Sequence, residues 1–457
     1  MFLQVTPDEA MTAASDAMAA ANTAWVLCAA ALVLFMTPGL GFFYGGFTRQ
    51  KNVLATIMQS FIVVALVGIQ WVVIGYTLAF GPDHWGIIGG LDYFGLKDVG
   101  IEPSDPYTSG TGVPAEAFMI FQAMFAIITP ALITGAFAER AKFSTFLVFM
   151  LAWSLFVYDP VAHWVFAGGW LGVVDPDGIN ALDFAGGTAI HVNAGAAALA
   201  AAIMFGRRKG YGSEPMEPSN TTYIVLGTAI LWFGWFGFNA GSAGAATGQA
   251  ANAFVVTNTA AAAAALTWML LSWYFSGKPS VVGAAAGAVA GLVAITPASG
   301  FVQPMEAIAI GVGAGVFCYA AVRWRASTQL DDSLDVVGVH GVGGLWGGIA
   351  TGLFATAAIG GVDGMFNGEA SQVWDQIVAI GAVAAYSFVV TAIILKVLDM
   401  TMGLRVSDEE EVIGLDASQH GERAYVMEEA ASFVGIPQPA PSPSRSSASP
   451  PGGGGAL

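Results

Sequence analysis

Apolar residues fill this chain in long, nearly unbroken runs separated by short polar connections. A helix of about 20 apolar residues spans the hydrocarbon core of a bilayer. On that measure the runs predict eleven transmembrane helices, at 24–46, 53–80, 115–137, 144–166, 187–205, 221–241, 252–275, 280–297, 305–323, 337–358 and 372–400. The fold class expected is an all-α polytopic membrane protein.

The few basic residues orient these helices. Arg49 and Lys51 follow the first run, Arg140 and Lys142 the third, and Arg207, Arg208 and Lys209 the fifth. Lys278 follows the seventh, Arg323 and Arg325 the ninth, and Lys396 and Arg405 flank the end of the eleventh. The alternate loops hold Asp83, Asp92, Asp98, Glu102, Asp105, Asp175, Asp177, Asp363 and Glu369, with Lys97 their only basic residue. Positive loops stay inside, so the N-terminus is expected out and the C-terminus in. A twelve-span carrier would put both ends on one side. The first five and next five spans then run in opposite senses, and each set ends on a Gly-rich span holding a histidine. That suggests a five-plus-five inverted repeat with a site between the halves near the midplane.

The flanks read differently. Residues 1–22 carry Asp8, Glu9 and Asp16 and no Lys or Arg, which predicts an extracytoplasmic segment and no signal peptide. Residues 23–404 form the membrane domain. Residues 405–432, charged and mixed, predict an ordered cytoplasmic tail, and 433–457, rich in Pro, Ser and Gly, a disordered end.

Composition agrees. The chain is 56% hydrophobic and 10% charged, where a soluble chain is about a quarter charged. Its 59 glycines suit helices packed closely through small residues. The net charge of −17 argues against nucleic acid as a partner. Cys28 and Cys318 lie in apolar runs and read as small core residues, with no disulfide or metal framework. No phosphate loop, metal-ligand cluster or nucleophile with its base emerges, so neither a cofactor nor an enzyme is expected.

The chemistry available lies inside the spans. His191 and His340 each sit among small residues, and an ionisable group at membrane depth faces a pathway rather than lipid. If the rings met, one would donate and the other accept, and the pair would resist double protonation. Alternatively each satisfies a buried backbone group by itself; spacing does not choose. Phe121 and Phe125 lie four apart on one helix face, and Trp232, Phe233, Trp235, Phe236 and Phe238 crowd the sixth run. Aromatic faces can hold an ammonium-type cation or close a pore, or merely pack. Ser242 can accept from such a cation or bond its own helix. Asp183 can cap the fifth span, stabilise a nearby cation, or do both. Asp159 is expected to pair with a helix terminus broken by Pro160, without a transport role.

Five blocks then combine: Pro38 to Gly46 (PGLGFFYGG), Asp183 to His191 (DFAGGTAIH), Gly234 to Ser242 (GWFGFNAGS), Asp335 to Gly341 (DVVGVHG), and Gly403 to Val406 with Gly414 to Asp416 and His420 to Glu422 in the tail. Over roughly residues 20–427 the chain resembles the Amt branch of the Amt/Rhesus ammonium transporters. The resemblance implies a homotrimer of eleven-helix subunits in the cell inner (plasma) membrane, each with its own pore. It implies ammonium as substrate, with methylammonium as analogue. It makes His191 and His340 the paired pore histidines and Phe125 and Phe238 a stacked gate above them. Phe125, Phe166, Ser242 and Asp183 become the ammonium recruitment site, and Phe121 and Trp235 line the pore. A PII signalling protein on the cytoplasmic face and membrane lipids are the implied partners, with residues 405–425 resembling the tail that couples subunits.

One position departs: the pattern His-Trp-Val-Trp-Gly-Gly reads here His163-Trp164-Val165-Phe166-Ala167-Gly168-Gly169. Phe166 keeps a weaker π face and lacks the indole donor, so weaker recruitment or altered discrimination is expected. The mechanism implied strips a proton from ammonium at the vestibule and passes NH3 through an apolar lumen, since a bare cation in hydrocarbon is costly. A Rhesus-like gas channel fits the Asn239 to Ser242 block and tail less well. A sensor would need an appended domain, and only residues 401–457 follow the last span.

Overall fold

In lipid every backbone N–H and C=O must be bonded within the protein, so apolar runs of this length close into helices. The structure, a computed structural model, describes residues 6–104, 106–172 and 178–425. Asp105, Asp175, Asp177 and everything from residue 426, including the Pro/Ser/Gly-rich end, lie outside the described residues.

Among the described residues ten helices are long and apolar enough to cross a membrane: α1 (Pro7–Phe47), α2 (Gln50–Phe80), α3 (Ala115–Phe137), α4 (Phe143–Phe166), α5 (Gly187–Phe205), α6 (Thr221–Gly241), α7 (Gly248–Ser276), α9 (Pro304–Ala326), α10 (Val337–Phe354) and α11 (Ser371–Thr401). Between α7 and α9 runs α8 (Val281–Ile295), apolar but only 15 residues long. At 1.5 Å per residue it is about 22 Å, short of a full span. The chain is a multi-pass membrane protein, mostly helical, with one two-residue hairpin pair among its described residues.

The first helix begins at Pro7, well before the apolar run at 24. The reason is local: Thr6 accepts from Glu9 N while the Glu9 carboxylate accepts from Thr6 N, a capping box that starts a helix on polar residues. Cys28 is exposed on the outer face of this helix, a correction to its reading as a core residue; Cys318 is buried. Pro160 breaks no helix. A wider π-turn at Ser154–Tyr158 precedes it and the helix continues, while Asp159 accepts from Gln70 Nε2 of α2 at 3.2 Å rather than from a helix end.

Small residues set the helix crossings. A Cβ at Gly195 of α5 would lie 2.3 Å from Gly341 Cα of α10, so the two backbones touch there. These two helices also start alike. Each opens on a π-turn, Gly187–Val192 and Val337–Gly341, that contains its histidine. Asp183 and Asp332, each eight residues before its histidine (191 − 183 and 340 − 332), accept from backbone N–H groups of those turns. Two matching units that meet at two glycines bring two histidines side by side.

At the basic end of the bundle an ionic frame ties the loops. Arg208 holds Asp331 through Nε and Nη2 at 3.0 and 2.8 Å, and Arg49 holds Glu139. Burial alone would raise Asp331, but Arg208 and Arg140 hold it below the usual carboxylate range. The tail closes over this frame. Arg405 Nη1 bonds the Phe205 and Arg207 carbonyls, Nη2 bonds Glu411, and Lys51 Nζ bonds the Glu411 and Val412 carbonyls of the short helix α12 (Asp408–Ile413).

Two predictions follow from this packing. Gly195→Ala should cost about 1–3 kcal/mol by overpacking the α5–α10 contact, read as a lowered melting temperature of the detergent-solubilised protein. Gly381→Ala, with nothing near its Cβ, should leave it unchanged or slightly raised. Burial, reinforced by Asp335, pushes Asp332 up to about 7 from the ordinary 3.8. A raised acid costs stability progressively as pH climbs through that interval, fully above about 7 and not at all below 3.8. Melting curves should show this loss in the wild type and not in Asp332→Asn, whose side-chain oxygen still accepts from Val337 N.

Candidate functional site

The site is a line of three cavities between the helices. The outermost, about 160 Å³, opens at the acidic end and is walled by Phe80, Tyr107, Phe118, Gln122, Phe125, Phe166, Phe184, Ala185 and Ser242. Deeper lies a slot of about 10 Å³ between Phe238, Trp235, His191, His340 and aliphatic side chains such as Leu132 and Leu231. Room of that size admits about one water-sized molecule. Beyond it a cavity of about 330 Å³ opens toward the basic end, walled by Tyr44, Trp268, Tyr319, Asp335 and, at its head, His340.

Phe125 faces the outer cavity and Phe238 the slot, and their rings meet edge to face, centroids 4.7 Å apart at 69°. They divide the two spaces, but as a T rather than the stacked pair the resemblance implied. Edge-to-face contact puts a positive ring edge on a negative face, the preferred arrangement for two phenyl rings. Phe121 is on neither cavity's wall. Its side chain packs edge-on against Phe125 at 4.9 Å and beside Gly241, so it backs the divider instead of lining the pore.

Beneath the divider His191 lies nearly parallel to Phe238 and to Trp235, centroids 5.9 and 5.4 Å away. The Trp235 indole donates to Thr296 Oγ1 at 2.9 Å, so its N–H is already engaged and its apolar face lines the slot. His191 Nδ1 and His340 Nδ1 are 3.2 Å apart. At that contact one nitrogen carries the hydrogen and the other accepts it. The ring that donates there leaves a bare Nε2, and the ring that accepts carries its hydrogen on Nε2. The pair therefore offers one acceptor and one donor at its two Nε2 atoms, and reversing both takes two hydrogen transfers, one across the shared contact and one from Nε2 to Nε2. His191 Nε2 is buried and has no protein partner.

Ser242 donates to the Phe238 carbonyl at 2.8 Å, which leaves its hydroxyl lone pairs toward the outer cavity. Asp183 is not on that cavity's wall. Its two oxygens accept from Gly186, Gly187, Thr188 and Ala189 at 2.6–3.0 Å, all four orphan N–H groups of the start of α5. Burial pushes this carboxyl above its usual range and those four bonds oppose the shift. It fixes the turn that carries His191, and Phe184 and Ala185 of the wall follow it directly in the chain. Phe166 does stand on the wall.

Sequence reasoning missed six wall residues: Phe80, Tyr107, Phe118, Gln122, Phe184 and Ala185. Phe118, Gln122 and Phe125 recur at i, i+4 and i+7 of α3, a face that the pattern could have marked. Tyr107 sits in a loop and reaches the wall by stacking on Phe118, 5.2 Å and 4° apart, which nothing local signals.

Comparison with known proteins places this architecture. An ammonium transporter of Bacillus subtilis is 50% identical over 88% of this chain and 98% of its own length. The crystal structure of Saccharomyces cerevisiae Mep2 superposes with a TM-score of 0.81 at 38% identity, covering 90% of this chain and 92% of that one. A sensor Amt protein superposes with a TM-score of 0.80 at 28% identity, covering 89% and 99%. Residues 24–425 match the family model described as Ammonium Transporter Family. With a nonpolar slot closed by two histidines and relatives of this closeness along nearly its whole length, the chain belongs to the ammonium transporter family and is a transporter of ammonium.

Proposed function

We propose that the chain recruits NH4+ in the outer cavity, deprotonates it there, and conducts NH3 through the histidine slot. The observation that carries this reading is the slot itself: its polar surface is one shared pair of imidazoles within an otherwise apolar wall. A bare ammonium ion there would lack a counter-charge in a low dielectric, a cost of several kcal/mol or more. Neutral NH3 can accept from one Nε2 and donate to the other. The outer cavity suits the cation instead. Phe125, Phe166, Phe118 and Tyr107 offer π faces worth about 0.5–2 kcal/mol, and the Ser242 hydroxyl accepts one N–H.

The proton released either stays outside or follows through the histidine pair. The proposed setting is the cell inner membrane, with the N-terminus out, the C-terminus in and three subunits associated. The outward Leu, Val and Phe side chains of α7, among them Phe254, Leu266 and Leu270, would pack against lipid or neighbouring subunits. The tail is read as regulatory over 405–432: its docked part bonds loops from several helices, so a PII protein on that face would act on the whole inner end.

Labelled methylammonium uptake, measured in a strain lacking its own transporters, tests the reading. Wild type should restore uptake. His191→Ala should lose about tenfold or more, the scale of leaving a buried polar partner unpaired. Phe166→Trp should lower the apparent KM about threefold through a stronger π face. Full uptake in His191→Ala and an unchanged KM in Phe166→Trp would refute the histidine route and the aromatic site in turn.

A further inference from the structure

The two ends of the path carry different charge. No acidic or basic side chain walls the outer cavity. The inner cavity, which leads away from His340, has two formal charges on its wall, Asp335 and Arg323. Asp335 is matched: Arg325 reaches its Oδ1 through Nε at 2.7 Å and through Nη2 at 2.6 Å. Arg323, exposed in the last turn of α9, is not. Its Nη1 donates to the Tyr319 hydroxyl at 3.1 Å. Among the described residues no carboxylate comes within 4.0 Å of it.

The same guanidinium lies over two aromatic rings. Its Cζ is 5.4 Å from the Phe275 centroid and 5.7 Å from that of Tyr319. Phe275 is in the last turn of α7, so this cation ties the ends of α7 and α9 beside the cavity. A ring face covered by a resident cation offers little to a second one. An arginine at the inner end of a span also marks topology, and a side chain snorkelling along lipid would do that alone. Arg323 differs in facing the path: it, Tyr319 and Val322 line the same cavity as His340.

We infer that Arg323 is an electrostatic valve at the inner end, lowering the local concentration of ammonium in that cavity while leaving neutral NH3 unaffected. Like charges repel, and an ammonium ion and a guanidinium both have donors only, so no hydrogen bond offsets the repulsion. NH3 carries no charge, and its lone pair can accept. The valve shifts no equilibrium across the membrane, because it raises the energy of a cation at that end whichever way substrate travels. It weakens loading from the inner side and speeds release into it. This inference rests on the proposed path and orientation.

Uptake of labelled methylammonium into right-side-out and into inverted membrane vesicles carrying the full chain reads the two ends separately. In inverted vesicles the wild-type apparent KM should fall as salt rises, because salt screens an exposed charge. Arg323→Gln, whose amide can still donate to Tyr319, should lower that KM about threefold, the scale of one charge roughly 7 Å away in water. Arg323→Glu should lower it about tenfold, and Arg323→Lys should match wild type. All three should keep the right-side-out KM. A wild-type KM in inverted vesicles that ignores salt overturns the valve while leaving transport intact. So does a KM that Arg323→Gln leaves unchanged or shifts equally in both orientations. Absence of wild-type uptake in both orientations would instead contradict the transport reading, and this inference with it.

Discussion

A single hydrogen lies between two imidazole nitrogens 3.2 Å apart, and the architecture around it serves to keep it there. Neither ring can reach the other unless α5 and α10 touch backbone to backbone at Gly195 and Gly341. Neither can hold its orientation unless the π-turn beneath it is fixed, by Asp183 on one side and Asp332 on the other. Trp235 and Phe238 then cover His191 with flat apolar surface and leave no second polar partner for its Nε2. Protonating both rings would place adjacent cations in low dielectric. That constraint makes the slot a poor place for an ion and a suitable one for a small neutral base.

Outside the slot the same economy is visible in reverse. The outer cavity is rich in π faces, and its walls come from α2, α3, α4, α6 and the segments joining them. A site assembled from so many elements depends on contacts that hold them in register, such as Tyr107 on Phe118 and the hairpin ties at the end of α4. Phe166 contributes one of those faces, with no indole N–H to donate. An aromatic, partly polar cavity and an apolar slot thus lie on either side of the Phe125–Phe238 contact.

Much of this was legible before any coordinates. The apolar runs located the helices to within a few residues, because hydrocarbon thickness imposes their length. Where that reading failed, a local rule had been outweighed by hydropathy: Thr6 and Glu9 start α1 at Pro7, although the residues after them are too polar to sit in a membrane. Pro160 reads as a helix break, but a π-turn ends two residues earlier, at Tyr158, and the helix runs on through the proline. The two histidines stood out by their cost in a membrane, yet only the Gly–Gly crossing, a contact between residues 146 apart (341 − 195), brings them together. Phe121 and Phe125 shared a face in the sequence; which of them meets the cavity depends on the angle of α3 to α6, and no residue pattern carries that angle.

Discrimination between ammonium and potassium tests the central claim most directly, since the two cations are alike in size and charge and only one can give up a proton. In proteoliposomes containing the purified protein, an ammonium gradient should drive substrate across, while an equal potassium gradient should move no detectable potassium. Potassium flux at a rate comparable with that of ammonium would contradict the account, because it would mean the histidine slot passes a bare cation.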